Sequence, residues 1–126
     1  DLQVLHYSSD RGRSWETLSG DLTTNDPDKL DQATSGGLTI DATKAENHCT
    51  LLSIAPVGQR PNEIWVGTDD GRLQHTKDRG QTWTDHSGQL KGLPKGSWIP
   101  QIHVSAHNPD EVYHCLCIKY SFAGLL

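Results

Sequence analysis

Apolar and polar residues alternate with a period of two in short runs along this chain. Leu2, Val4 and His6 alternate with Gln3, Leu5 and Tyr7, which predicts a strand over residues 2–7. Trp15 and Thr17 alternate with Glu16 and Leu18, predicting a strand that returns over 14–18. Leu51, Leu52, Ile54 and Ala55 form a continuous apolar run within 50–56, the pattern of a strand covered on both faces. Further strands are expected over 63–68, 72–76 and 82–86. Asp70-Gly71 between the first two is read as a type I′ hairpin turn. Two last strands, over 99–105 and 111–118, flank His107-Asn108-Pro109-Asp110. Ile54-Ala55-Pro56 is matched there with Val104-Ser105-Ala106, and Glu63-Ile64-Trp65 with Glu111-Val112-Tyr113. The one helical expectation is a short turn over 29–33, with Asp26 as N-cap and Pro27 at the first position.

Two loops in this pattern carry the same signature. Ser8-Ser9-Asp10-Arg11-Gly12-Arg13-Ser14-Trp15 and Thr76-Lys77-Asp78-Arg79-Gly80-Gln81-Thr82-Trp83 both place a hydroxyl, an Asp, a Gly and a Trp at the same offsets. An Asp carboxylate accepts backbone N–H bonds from the residues just ahead of it, and a Ser or Thr hydroxyl does so more weakly. Gly12 and Gly80 supply the positive φ that a side chain resists. Trp15 and Trp83 are expected to fold under their own loops and bury their rings. Asp78 is expected to be satisfied within its loop, and Asp69 to be mostly solvated.

The octets resemble the Asp-box, or BNR repeat, of β-propellers. With Asp21-Leu22-Thr23-Thr24-Asn25-Asp26-Pro27, Ser35-Gly36-Gly37 and the run Ile64 to Gly71, the chain over about 4–113 resembles the sortilin-like propellers of secreted bacterial proteins. The resemblance implies an all-β fold, a partial β-propeller of half a blade, one four-stranded blade and half a blade. Residues 1–19 would be the closing hairpin of one blade, 20–47 a connection between blades, 48–88 a complete blade, 98–118 the opening strands of the next, and 119–126 an atypical tail. Asp-boxes in such propellers are structural, so Ser8, Asp10, Gly12, Trp15, Thr76, Asp78, Gly80 and Trp83 are expected to be framework residues. Propellers close with typically 4–8 blades. The chain is therefore expected to be a piece of a larger secreted or periplasmic protein, its partners the remaining blades and a protein, peptide or glycan ligand. Alone, it is expected to self-associate or to be partly disordered. The alternative is a fragment of a propeller glycoside hydrolase, xyloglucanase-like or sialidase-like, with its catalytic residues outside this chain.

Composition narrows the chemistry. With 33% hydrophobic residues in 126, a lone core would be thin, and twelve Gly and six Pro fit a turn-rich β fold. A net charge of −5 with scattered basic residues argues against nucleic acid. No apolar run approaches the ~20 residues of a membrane-spanning helix. Cys49, Cys115 and Cys117 are an odd set, and Cys115 and Cys117 stand too close for an unstrained disulfide.

No catalytic constellation emerges. Asp69 and Asp70 are adjacent, so on a strand they would face opposite ways and not flank one glycosidic bond. The His and Cys spacings match no zinc motif, and the residues about Asp70-Gly71 are too few as oxygen ligands for calcium. No metal or cofactor is expected. Trp98, in a loop after Gly96-Ser97, is the candidate ligand contact, and Trp65 is expected to pack between blades.

Overall fold

The computed structural model describes residues 2–31, 48–115, 117–118 and 121–122. Ser35-Gly36-Gly37 and the rest of the stretch 32–47 lie outside the described residues, as does most of the tail.

The chain is all-β. Its centre is a four-stranded antiparallel sheet formed by β3 (Leu51–Pro56), β4 (Ile64–Thr68), β5 (Leu73–Thr76) and β6 (Thr84–Asp85), neighbours in sequence and in space. A hairpin precedes it, β1 (His6–Tyr7) with β2 (Glu16–Thr17). A second follows, β7 (Gln101–Val104) with β8 (Val112–Cys115). Of the strand expected over 111–118, Val112–Cys115 pairs with β7, and residue 116 lies outside the described residues. β9 (Cys117–Ile118) pairs instead with β10 (Ser121–Phe122) as a separate ribbon.

β1 is shorter than the alternation predicts because its approach bonds to three different segments. The Leu18 N–H reaches the Leu5 carbonyl at 2.8 Å, Leu22 N–H reaches Gln3 at 3.1 Å, and Leu51 N–H reaches Leu2 at 2.8 Å. The helical turn α1 (Pro27–Leu30) forms with the expected cap, the Asp26 carboxylate accepting the Asp28 N–H at 3.0 Å.

Each face of the central sheet packs on one hairpin. Leu51, Ile64, Val66 and Trp83 meet Leu5, Leu18 and Leu22 on one side. Ala55, Trp65 and Leu73 meet Ile99, Ile102, Val104 and Val112 on the other. The period of two sorts them, with Ile64 and Val66 on one face and Trp65 on the opposite one. Gly67 shares the Trp65 face, where a Cβ would stand 2.6 Å from the Ile99 side chain, so only glycine fits beneath that segment.

β3 is not covered on both faces as its apolar run predicts. Leu52 is 40% and Ile54 54% exposed. The pairing also corrects the match with the next hairpin by two residues. Pro56 lies opposite Ile64, and Val104 lies opposite Val112, so Ile54 corresponds to Ile102. Ile102 is buried against the sheet before it, whereas Ile54 is exposed.

The turn between β4 and β5 is not type I′. The Thr68 N–H bonds to the Arg72 carbonyl at 3.1 Å, leaving three loop residues. Of these Gly71 alone has positive φ, at 89°, whereas type I′ needs two such residues. The corner is built on buried carboxylates. Asp69, expected in solvent, is 7% exposed. Its N–H bonds the Thr50 carbonyl at 3.1 Å, which draws its carboxylate onto the Thr50 N–H at 2.8 Å and hydroxyl at 3.0 Å. Asp70 accepts the N–H and the hydroxyl of Thr24, both at 2.7 Å, and the Thr68 hydroxyl. Burial pushes the Asp70 carboxyl up, but these bonds outweigh it and hold the group below its ordinary value.

Removing either acceptor strands buried donors, at about 1–3 kcal/mol. Asp69→Ala and Asp70→Ala are each expected to lower stability by that amount in urea unfolding, more than Asp78→Ala does. Midpoints for both at the wild-type value would count against the corner as described.

Candidate functional site

The two octets form the same loop. Ser8 Oγ accepts the Gly12 N–H at 2.7 Å and donates to Asp10 Oδ1 at 2.9 Å. Thr76 Oγ1 accepts the Gly80 N–H at 2.8 Å and donates to Asp78 Oδ1 at 2.8 Å. Asp10 takes the Ser14 N–H at 2.8 Å and hydroxyl at 2.6 Å, and Asp78 takes the Thr82 N–H at 2.8 Å and hydroxyl at 2.5 Å. The backbone repeats as well, with φ of 63° and 86° at Arg11 and Gly12, and 58° and 89° at Arg79 and Gly80. Ser14 and Thr82 were not singled out by sequence, although both octets carry a hydroxyl just before the Trp. Those hydroxyls are the largest cause that lowers the Asp10 and Asp78 carboxyls, each to about 2.

The Trp rings do not repeat. Trp83 is half-buried and reaches the preceding hairpin, its Nε1–H on the Leu18 carbonyl at 3.4 Å. Trp15 is 65% exposed and turns back to its own Gly12 carbonyl at 3.2 Å. The expectation that both rings bury under their loops is wrong for Trp15. The Trp83 ring meets the Leu18 segment, and among the described residues no bond of that kind is made by Trp15. The glycines differ in the same way. A Cβ on Gly80 would stand 2.1 Å from the Leu18 carbonyl oxygen, while one on Gly12 meets nothing nearer than the Trp15 ring at 3.6 Å. Arg79 completes the junction, stacking 4.5 Å over Tyr7 and pairing with Glu16 at 2.5 Å.

A groove of about 450 Å³ opens on the other face of the sheet, between β5–β6 and the Pro109–Asp110 loop. Trp65 and His75, cross-strand partners, stack in it with centroids 3.9 Å apart and planes 11° apart. His75 Nε2 meets Glu63 Oε1 at 2.7 Å, and His86 lies 5.1 Å from Trp65. Burial holds His75 below its ordinary value despite Glu63, so it is neutral at pH 7 and donates its Nε2–H to the carboxylate. Arg60 binds Glu63 at 3.3 Å and Asp110 at 2.9 Å, occupying both carboxylates of the groove. Trp65 Nε1 and His86 Nε2 are buried without a protein partner. Sequence reading placed Trp65 between layers but missed its grouping with Glu63, His75 and His86. The signal was the hairpin at Asp69–Gly71, which puts Trp65 opposite His75 only when it is counted with three loop residues.

Trp98 is exposed, as expected for a surface contact, its ring centroid 6.4 Å from that of His48 in an edge-on arrangement. It stands apart from the groove's lining residues. Among the described residues no three His, Cys, Asp or Glu side chains gather as metal ligands. The chain matches no family model, no curated protein and no solved structure. What the arrangement offers chemically is a set of paired charges and stacked rings. Among the described residues it offers no free base beside a nucleophile, and the groove's two carboxylates are both engaged.

The twin loops allow a controlled comparison. Gly12→Ala and Gly80→Ala both meet left-handed strain of about 1–2 kcal/mol. Gly80→Ala also drives a methyl into the Leu18 carbonyl and is expected to cost at least twice as much by chemical denaturation. Equal losses would show that Leu18 does not approach Gly80.

Acid provides a second check. The folded carboxyls at about 2 lie below the unfolded value of about 3.9, so their contribution is complete above pH 4 and is lost as pH falls through 2. Carboxyl-carbon NMR titration is expected to give midpoints about 2 for Asp10 and Asp78. Ordinary midpoints for both would refute the loop hydrogen bonds.

Proposed function

We propose that this chain is a stretch of an Asp-box β-propeller of the sortilin-like kind, non-catalytic, serving as a scaffold and binding surface for protein or peptide. The observation that carries the reading is the pair of superimposable loops, one of which sends its Trp across to the hairpin of the preceding unit. Under this reading the four-stranded sheet is one blade and the flanking hairpins are halves of its neighbours. Two features support a binding rather than a catalytic role. The groove's carboxylates are both engaged by Arg60, and its rings are stacked on one another. Secretion of the parent follows from the same reading. No helix among the described residues is long and apolar enough to cross a membrane.

The test uses the longer protein that carries this stretch. It is expected to leave xyloglucan, β-glucan and sialosides uncleaved and to bind peptides in a pull-down from a defined peptide library. Glycan turnover abolished by single Asp substitutions would overturn the non-catalytic reading in favour of a propeller glycoside hydrolase.

A further inference from the structure

A second pocket, of about 380 Å³, opens at the end of β5 away from its box loop. Three segments of the chain close it. They are Thr24 in the connection before α1, Gly71 and Arg72 at the β4–β5 corner, and the loop 87–97 that leads from β6 to β7. Its volume is that of a site for a small organic ligand.

The walls are braced from within. Thr24 is held on Asp70. Ser87 accepts the Leu73 N–H at 3.1 Å and donates to Asp85. Ser97 returns its N–H, at 3.2 Å, and its hydroxyl, at 2.7 Å, to the Pro94 carbonyl. Gly71 and Gly96 touch backbone to backbone. A Cβ on Gly71 would stand 2.8 Å from the Gly96 Cα, and both residues have positive φ, 89° and 78°. Only glycine allows that approach, so the loop is pinned to the corner and the pocket stands ready-made beside the contact.

Its lining has two parts. Leu90, Leu93 and Pro94 make an apolar wall, and the two leucines pack on the cluster of Leu73 and Ile99. Around that wall the acceptors are spent. Asp70 serves Thr24 and Thr68, and Asp85 serves Ser87 and Arg72. The donors are not spent. Arg72 commits one N–H of its five-donor guanidinium to Asp85. Lys95 is exposed and joins no ion pair among the described residues. The Lys29 ammonium stands at the edge, 3.2 Å from where a Gly96 Cβ would be. A neutral ligand leaves these cationic donors without partners, and a cationic one is repelled by them. An anion with two oxygens matches a guanidinium fork beside an ammonium.

We propose that this pocket binds a small carboxylate with an apolar body, the carboxylate on Arg72 and Lys95 and the body against Leu90 and Leu93. The pocket does not rest on the blade reading and is separate from the groove at Trp65, where both carboxylates are engaged by Arg60 and the rings face one another.

Ligand-observed NMR titration of the protein that carries this stretch tests it, with phenylbutyrate, phenylbutanol and acetate as probes. Phenylbutyrate is expected to bind saturably with a Kd of about 1 mM. Phenylbutanol, which keeps the body and loses the charge, and acetate, which keeps the charge and loses the body, should each bind about tenfold more weakly or worse. Lys95→Glu puts a like charge at the rim and is expected to weaken phenylbutyrate by about tenfold, while Lys95→Arg retains it. Position 95 is exposed, so circular dichroism of both variants should match the wild type. Leu93→Asp should abolish binding through the apolar wall. Absence of saturable phenylbutyrate binding, phenylbutanol binding as well as phenylbutyrate, or affinity unchanged in Lys95→Glu would overturn the proposal. Glycan turnover by the same protein would overturn the non-catalytic reading and leave this pocket standing, and loss of the pocket would leave that reading untouched.

Discussion

Two adjacent carboxylates, Asp69 and Asp70, are buried at the corner between β4 and β5, and the positions of three chain segments follow from their need for donors. Asp69 fixes Thr50, where β3 begins, and Asp70 fixes Thr24, where the long connection turns toward α1. A buried carboxylate without donors is costly, so each hydrogen bond here excludes alternatives as much as it stabilises the native arrangement. With β3 and the connection held at one corner, Leu22 and Leu51 sit in the same apolar cluster as Leu5 and Val66. The first hairpin is thereby placed against the sheet, and the junction of Trp83, Gly80 and Arg79 with Leu18, Tyr7 and Glu16 can close.

The box loops show how a repeat separates what is local from what is shared. Every bond made by Asp10 has a counterpart at Asp78 within 0.1 Å, because both ends of each bond lie inside the octet. The indole rings diverge because their surroundings come from another unit. An octet therefore folds as a self-sufficient loop and presents its Trp outward as a contact for whatever stands before it.

That distinction also explains how much could be read from the sequence. The strands, their order, the α1 cap and the loop chemistry were legible, since each depends on residues within a few positions of one another. The burial of Asp69 was not, because its partner Thr50 is nineteen positions away and is brought there by strand pairing. Trp15 was misplaced because an octet identical in type to that of Trp83 says nothing about its neighbour. The apolar run at 51–55 implied two covered faces, yet Leu52 and Ile54 are exposed. The grouping of Glu63, Trp65, His75 and His86 needed the register of β4 with β5, and a turn read as type I′ would have shifted it.

Cys49 sits behind the same corner at a φ of 63°, fully buried, its sulfur 3.8 Å from the Thr24 hydroxyl. Burial raises its thiol above the ordinary value, so the reactive thiolate is scarce and shielded from solvent reagents. Its modification by a water-soluble reagent therefore requires the structure around it to open. The rate at which Cys49 is modified, told apart from Cys115 and Cys117, is a clock for the corner.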